Sequence, residues 1–146
     1  MRVTQHADWA ERIPHAGDMR LLDSVTDWNE SGIHTRSERH TFDVHPLRSG
    51  AGLHAVHLAE YGAQAVAVHG ALVASSRGDA RTRQGRLVSL RDVQLTVEYV
   101  DLSAGPLEVH AQCLIADERG AQYEFKVEQR DRMLAAGRVA VMHTDA

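Results

Sequence analysis

Residues 55–74 read AVHLAEYGAQAVAVHGALVA, and the architecture of the whole domain depends on this segment. It is rich in Ala, Val and Leu and carries one formal charge, Glu60, so a helix formed by it is apolar on nearly every side. Such a helix is buried inside a protein. At 1.5 Å per residue it would span roughly 30 Å, as a membrane helix does, but its Glu, Gln, His and Gly residues make a poor lipid-facing surface. We therefore predict a core helix wrapped by a sheet.

Glu60 needs a physical explanation within this helix. Removing an ionised carboxylate from water costs several kcal/mol, whereas a partner three residues away, such as His57, returns roughly 0.2 to 0.5 kcal/mol. We therefore expect Glu60 to have a raised pKa or to line a cavity, and both conditions suit a general acid. The alternative is a structural Glu at a subunit interface, satisfied by an arginine.

Composition and charge are those of a single domain over residues 1–146. The chain is 43% hydrophobic and 25% charged, as in ordinary globular proteins. Its net charge of −4 argues against nucleic-acid binding. Cys113 is the only cysteine, which excludes an intramolecular disulfide and fits a reducing cytoplasm. The N-terminal residues show no export signal, so we expect a cytoplasmic protein without a membrane partner.

The rest of the chain predicts strands on both sides of the helix. Before it, we predict strands over 19–28 and 33–42, joined by a turn at 29–32; the second has weak alternation, as in a strand near an edge or with a wet face. After it, period-two patterns predict half-buried antiparallel strands at 93–99, 107–113, 123–127 and 133–142. This order predicts an α+β fold in which a curved antiparallel sheet of about five or six strands wraps one helix. A single layer leaves part of the helix and a sheet edge uncovered, so we expect a homodimer.

Two polar segments flank the helix. The loop 43–54 delivers His45, Arg48 and free amides near Gly52 to one neighbourhood, which could bind an anion or a developing oxyanion. The segment 75–91 is rich in arginine: its cations are Arg77, Arg81, Arg83, Arg86 and Arg91. These residues could steer an anionic partner; the alternative is a solvated loop.

Several strings in the sequence resemble a known family. IPHAGDMRLLDSV at 13–25 and EYGAQ at 60–64 resemble motifs of hotdog-fold 3-hydroxyacyl-(acyl carrier protein) dehydratases. HPLR at 45–48, ahead of EYGAQAVAVHGAL, is similar to small dehydratase-like proteins associated with aryl-polyene pigment clusters. The resemblance covers nearly the whole chain and implies the hotdog fold.

The resemblance also implies a catalytic pair. His45 and Glu60 take the places of a loop histidine and a helix carboxylate that opposite protomers usually contribute. His45 would remove the proton alpha to a thioester carbonyl, Glu60 would protonate the departing 3-hydroxyl, and amides near Gly52 would polarise the carbonyl. The sequence departs from the family pattern after His45, where Pro46-Leu47-Arg48 replaces the usual Phe-Pro-Gly.

Further residues complete the predicted site. The substrate-binding candidates are Gln64, His57, His54, Gly52 and Arg48, and either of the two histidines could replace His45 as the base. The carrier-binding candidates are Arg77, Arg81, Arg83 and Arg86. A metal site on His54, His57 and Glu60 is disfavoured, because steps of three residues drift about 60° around a helix and turn the outer ligands apart. We expect no metal and no organic cofactor.

The resulting functional hypothesis is dehydration of a 3-hydroxyacyl thioester on an acyl carrier protein. A hotdog thioesterase is one alternative, in which Glu60 activates water. A non-catalytic subunit of a heterodimeric dehydratase is the other.

Overall fold

One helix packs against one antiparallel sheet. The computed structural model describes residues 20–41, 45–78 and 84–144. In this part of the chain the elements are β1 (Ser24–Asn29), β2 (Gly32–Ser37), α1 (Leu58–Ser76), β3 (Gln84–Leu95), β4 (Leu107–Ala116), β5 (Gly120–Gln129) and β6 (Arg132–Thr144). The sheet order is β1-β2-β4-β5-β6-β3, and every neighbouring pair is antiparallel. The predicted helix wrapped by about six strands is confirmed.

The start of α1 is fixed by its neighbours in the loop and in the sheet. His54 caps a single 3-10 turn over Ala55–His57, because its Nδ1 accepts the Val56 amide at 3.0 Å. The Ala55 amide donates to the Glu98 carbonyl at 2.8 Å. These bonds satisfy amides that a helix start otherwise leaves unpaired.

Most of α1 is buried against the sheet. Tyr61, Ala65, Val68 and Leu72 follow helical spacing and are between 0% and 6% exposed. Burying a large apolar side chain contributes roughly 1.5 to 3 kcal/mol. In the part of the chain that the structure describes, no helix combines the length and apolar character needed to cross a bilayer.

One stripe of α1 remains uncovered by the chain's own sheet. Its small members Ala59, Ala63 and Ala67 are half-buried, and Gly70 is exposed. Glu60 belongs to the same stripe and is half-buried. The prediction that part of the helix stays open is confirmed, and the open part carries the carboxyl group.

Two glycines, one in α1 and one in β6, leave room for one aromatic ring between the helix and the sheet. A Cβ on Gly62 of α1 would lie 2.5 Å from the ring of Phe125, and a Cβ on Gly137 of β6 would lie 2.9 Å from the same ring. Phe125 is 3% exposed. The ring therefore fills the space that both missing side chains leave.

Two predicted strands differ from the observed ones. β2 ends at Ser37 and a 3-10 turn follows over Arg39–Thr41, so the predicted strand over 33–42 is too long at its C-terminal end. β2 lies between β1 and β4 as the second strand from a sheet edge, so its predicted position near an edge is confirmed. Its wet outer face is confirmed, since Arg36 is exposed. The first strand begins at Ser24, within the predicted range 19–28, of which Met19 lies outside the described residues.

The arginine-rich segment is a strand in its second half. β3 begins at Gln84, so the interpretation of 75–91 as a loop is wrong from there on. Arg86 pairs with Met142 of β6 and Arg91 with Arg138. β3 is the last strand of the sheet, and side chains on both of its faces are exposed, which explains why its sequence lacks alternation. Of the strand expected over 93–99, only 93–95 are in β3, after a shift in register around Asp92, whose φ is 52°. The prediction is wrong for 96–99, where only an isolated bridge from Tyr99 to His54 forms.

Candidate active site

The candidate active site lies where the loop after residue 44 meets the first turns of α1. His45 is 9% exposed, and its Nε2 is 2.9 Å from the Tyr61 hydroxyl. Tyr61 is fully buried in the first half of α1. A side-chain hydrogen bond therefore ties the loop to the helix one residue beyond Glu60.

The hydrogen bonds of His45 determine which ring nitrogen carries the proton. The Leu47 backbone amide donates to Nδ1 at 3.2 Å. An amide can only donate, so Nδ1 holds a lone pair, and in the neutral ring the proton is on Nε2. Nε2–H then donates to the Tyr61 oxygen.

The environment of His45 favours this neutral ring. Burial lowers the pKa of His45 below its usual value, and the nearby cations Arg48 and Arg39, with His40 and His57, lower it further. Burial also raises the pKa of the Tyr61 phenol, so its hydroxyl stays protonated. The pair consists of two neutral groups joined by one hydrogen bond.

Glu60 and Tyr61 point in different directions. Successive residues of an α-helix are about 100° apart around its axis. Tyr61 is directed into the core with His45, whereas Glu60 lies on the uncovered stripe in the first turn of α1. The carboxyl group is therefore at a surface that a second subunit can approach.

Gln64, one turn beyond Glu60, faces the interior. It is fully buried, and its Oε1 accepts the Leu21 amide at 2.8 Å. The Leu21 carbonyl in turn accepts a hydrogen bond from the Ser37 hydroxyl. Gln64 thus anchors the chain just before β1 to the helix, and in this chain its Oε1 has a structural partner.

The other predicted substrate residues surround the start of the helix. His57 is half-buried; His54 is also half-buried and stacks edge-on against Tyr99, with ring centroids 5.2 Å apart. Arg48 Nη1 donates to the His40 carbonyl at 3.5 Å. The expectation of free amides near Gly52 is wrong for two of them: Gly52 donates to the Ser49 carbonyl at 3.0 Å, and Ala55 donates to Glu98.

The carrier-binding arginines are placed only in part. Arg77 follows α1 directly, is exposed and lies 3.6 Å from Glu30. Arg86 is exposed on β3. Arg81 and Arg83 lie outside the described residues.

Two residues near His45 could not be recognised from the sequence as part of the candidate site. Tyr61 lies within an apolar helix pattern, where an aromatic residue reads as core. His40 is fully buried, and its Nε2–H donates to the Gly105 carbonyl at 3.1 Å. The hydrogen bonds of both residues form only when the loop, the helix and the 101–106 turn come together in the fold. Among the described residues, no three metal-ligating side chains form a cluster.

A separate groove lies on the face of the sheet turned away from α1. It encloses about 900 Å³ and is lined by His34, His110 and Lys126, among others. The two histidine rings stack with centroids 4.2 Å apart. Of the predicted site residues that the structure describes, none lines this groove.

Comparison with known proteins decides the family. The model of the ApeP-like family, described as ApeP dehydratase, matches residues 7–146. The chain belongs to the ApeP-like dehydratase family. No curated protein matches the sequence at a significant level.

Solved structures share the fold of this ApeP-like chain. The dehydratase heterocomplex ApeI:P from Xenorhabdus doucetiae superposes with a TM-score of 0.82 at 22% identity, covering 93% of this chain and 90% of that chain. A conserved protein from Pseudomonas aeruginosa gives 0.63 at 20% identity, covering 92% and 98%. A thioesterase from Haemophilus influenzae gives 0.61 at 9% identity, covering 84% and 78%. The predicted hotdog fold is confirmed.

Buried histidines make the stability of this ApeP-like chain depend on pH. Burial lowers the pKa values of His40, His45 and His69 in the folded state. The unfolded chain therefore binds protons first as the pH falls below about 6.5, the ordinary histidine value. We expect the free energy of unfolding to be constant above that pH and to fall below it, by up to about 1.4 kcal/mol per pH unit for each histidine. Urea titrations between pH 8 and pH 5 measure this slope.

The control for that experiment is His69→Gln. His69 is held by the Tyr123 hydroxyl at 2.6 Å and the Asn29 carbonyl at 2.8 Å. The variant should be less stable at every pH but should show a shallower loss of stability on acidification. A slope as steep as that of the unaltered protein would rule out His69 as a source.

Proposed function

We propose that this ApeP-like protein dehydrates a 3-hydroxyacyl thioester carried on an acyl carrier protein and releases the 2-enoyl thioester. The observation that carries the proposal is a carboxyl group in the first turn of α1, on the stripe left uncovered, in a chain whose dehydratase family match spans residues 7–146. A cytoplasmic location fits this substrate.

The reaction needs one group that takes a proton and one that gives a proton. A base removes the proton alpha to the thioester carbonyl, the electron pair forms the new double bond, and the 3-hydroxyl leaves as water after protonation. We propose that Glu60 protonates the departing hydroxyl. An imidazole suits the base, and its assignment to His45 stays a prediction from the sequence.

We propose that a second subunit completes the site. β3 is one of the two edge strands of the sheet, and its apolar side chains Leu87, Val88 and Leu90 are 41–51% exposed. An edge strand with exposed apolar residues is a template for pairing with another chain. Two copies joined along β3 would extend the sheet and cover part of the stripe that bears Glu60. A homodimer is the simplest such assembly.

A charge on β3 tests this assembly. Leu90→Asp should shift the protein from dimer to monomer, because an ionised carboxylate would be buried in the interface. The control is Leu114→Asp on β4, where the side chain is 45% exposed but does not lie on β3. Analytical ultracentrifugation measures both. A Leu90→Asp protein that sediments like the unaltered dimer would remove β3 from the interface.

The exposed arginines fit an acidic carrier. Arg77, Arg86 and Arg91 are exposed on a chain whose net charge is −4, so their local potential opposes that of the whole protein. Such patches raise association rates with anionic partners and weaken as salt screens them. We propose that these exposed arginines contact the carrier protein.

The product identifies the reaction. The purified protein is incubated with a 3-hydroxyacyl carrier thioester, and the products are separated by mass spectrometry. A loss of one water with the acyl group still attached supports dehydration. Free thiol would indicate a thioesterase, and no turnover until a related subunit is added would indicate one half of a heterodimeric dehydratase.

A further inference from the structure

The hydrogen bonds of His45 leave it without a free lone pair. Nδ1 accepts from the Leu47 amide at 3.2 Å, and Nε2–H donates to Tyr61 at 2.9 Å. To accept a proton at Nε2, the neutral ring would first have to place its proton on Nδ1, facing the Leu47 N–H. That arrangement sets two donors against each other in a part-buried place, and a buried donor left without a partner costs about 1 to 3 kcal/mol.

The Tyr61 hydroxyl cannot relieve this constraint. Tyr61 is fully buried, and its ring is 9° from parallel with the ring of His45. Burial keeps it a neutral phenol. If the phenol donated to Nε2 instead, the proton of the ring would again have to sit on Nδ1. The Leu47 amide therefore determines that His45 Nε2–H donates to the Tyr61 oxygen, and not the reverse.

The hydrogen bond from the Leu47 amide to His45 Nδ1 joins a side chain to the backbone two residues later. Asn and Asp side chains usually make this kind of bond in turns. His54 does the same with Val56 at 3.0 Å, nine residues further along. Both histidines thus use Nδ1 to organise backbone, one at the turn after residue 45 and one at the start of the helix.

We propose that His45 and Tyr61 are positioning residues of the dehydratase site: the Leu47 amide and the Tyr61 hydroxyl hold His45 as the Nε2–H tautomer, and this clamp fixes the helical turn that presents Glu60. The inference rests on the proposed function for the role of Glu60. His45 of this chain is then a hydrogen-bond donor. The proton alpha to the carbonyl is taken by another base, and His57 at the helix start is the candidate, since Nδ1 of His54 already accepts the Val56 amide.

The clamp has a direct structural consequence for Glu60. Tyr61 follows Glu60 in the helix, so the bond to His45 limits rotation and shift of the turn on which both stand. Proton transfer depends steeply on the placement of the donor, and displacement by about 1 Å can cost a hundredfold in rate. Loss of the clamp should therefore lower kcat and leave KM nearly unchanged.

Nuclear magnetic resonance of the purified full chain tests the tautomer without turnover. Two-bond proton–nitrogen correlations distinguish protonated from unprotonated ring nitrogens, and His45→Gln assigns the signals of residue 45. We expect a protonated Nε2 and an unprotonated Nδ1 at pH 8. A proton on Nδ1, or a mixture of tautomers, would overturn the inference.

Turnover of the active assembly supplies the second test. In His45→Gln the amide can still donate to Tyr61, but the side chain has no titratable nitrogen. We expect this variant to keep kcat within about tenfold and to keep the acidic limb of its pH profile, whereas loss of a general base costs about 10²- to 10⁴-fold. A drop of that size in His45→Gln, with loss of the acidic limb, would identify His45 as the base and refute the clamp.

Double substitution separates the clamp from general instability. His45→Leu and Tyr61→Phe each break the same bond, so the double variant should lose no more kcat than the worse single variant. Multiplying losses would contradict a shared role. If the protein formed no enoyl thioester, the proposed function would fail, while the state of the ring nitrogens would still be decided by resonance.

Discussion

Glu60→Gln is expected to lower the kcat of dehydration by roughly 10²- to 10⁴-fold, the usual loss when a general acid is removed. Glutamine matches glutamate in size and can still occupy the half-buried place in the first turn of α1. It has no proton to give to a departing hydroxyl at neutral pH. Steady-state formation of the enoyl thioester measures the effect, and KM should change little.

The control is Glu124→Gln. Glu124 lies on the outer face of the sheet, 3.6 Å from Arg138, with both side chains about half exposed. Such an exposed ion pair contributes little to stability. Unchanged folding and activity in this variant would show that loss of a carboxylate does not by itself impair the enzyme. Equal activity of Glu60→Gln and the unaltered protein would remove Glu60 from the mechanism.

Gly62→Ala is expected to destabilise the fold by about 1 to 3 kcal/mol, the usual cost of overpacking a core. The added Cβ would lie 2.5 Å from Cγ and Cδ2 of Phe125. The ring has little room to move away, because it also packs directly over the backbone of Gly137, where a Cβ would lie 2.9 Å from it. Alanine normally favours a helix over glycine by about 0.8 to 1 kcal/mol. The steric clash with Phe125 therefore has to outweigh this gain in helix propensity. Chemical denaturation measures the net change in the free energy of unfolding.

Gly70→Ala is the matched control in the same helix. A Cβ at Gly70 meets nothing within 4 Å, and the residue is exposed. Here the helix preference acts alone, so stability should rise by about 0.5 to 1 kcal/mol. If both variants shifted stability in the same direction, the packing of Phe125 would not be the cause.

The helix and the strands after it could be predicted because their patterns are local. The apolar stretch 55–74 and the alternation in β4 and β5 each follow from one periodicity. The start of β3 could not be predicted in this way, because side chains on both of its faces are exposed and no buried face produces alternation. The predicted β2 was too long because no Gly or Pro follows Ser37 before Pro46 to mark the end of the strand, and a 3-10 turn forms at Arg39–Thr41.

The candidate site was predictable in composition but not in geometry. The resemblance to dehydratases names His45 and Glu60, yet which way each side chain points depends on the helix phase. Tyr61 could not be found, because its hydroxyl finds a partner only after the loop folds back on α1. The direction of the His45 bonds likewise depends on the Leu47 amide, which no residue pattern encodes.

The order of elements along the chain has a consequence for synthesis. β4, β5 and β6 form a meander of neighbouring hairpins, and a tight turn at Arg130 and Asp131, both with positive φ, joins the last two strands. These strands cover α1 but follow it in sequence. A ribosome adds about 5 to 20 residues per second, so the apolar helix emerges several seconds before its cover is complete. During that interval β1 and β2 are the only strands of the described sheet that are available to pack against the helix, and the rest of its apolar surface faces water, the tunnel exit or a chaperone.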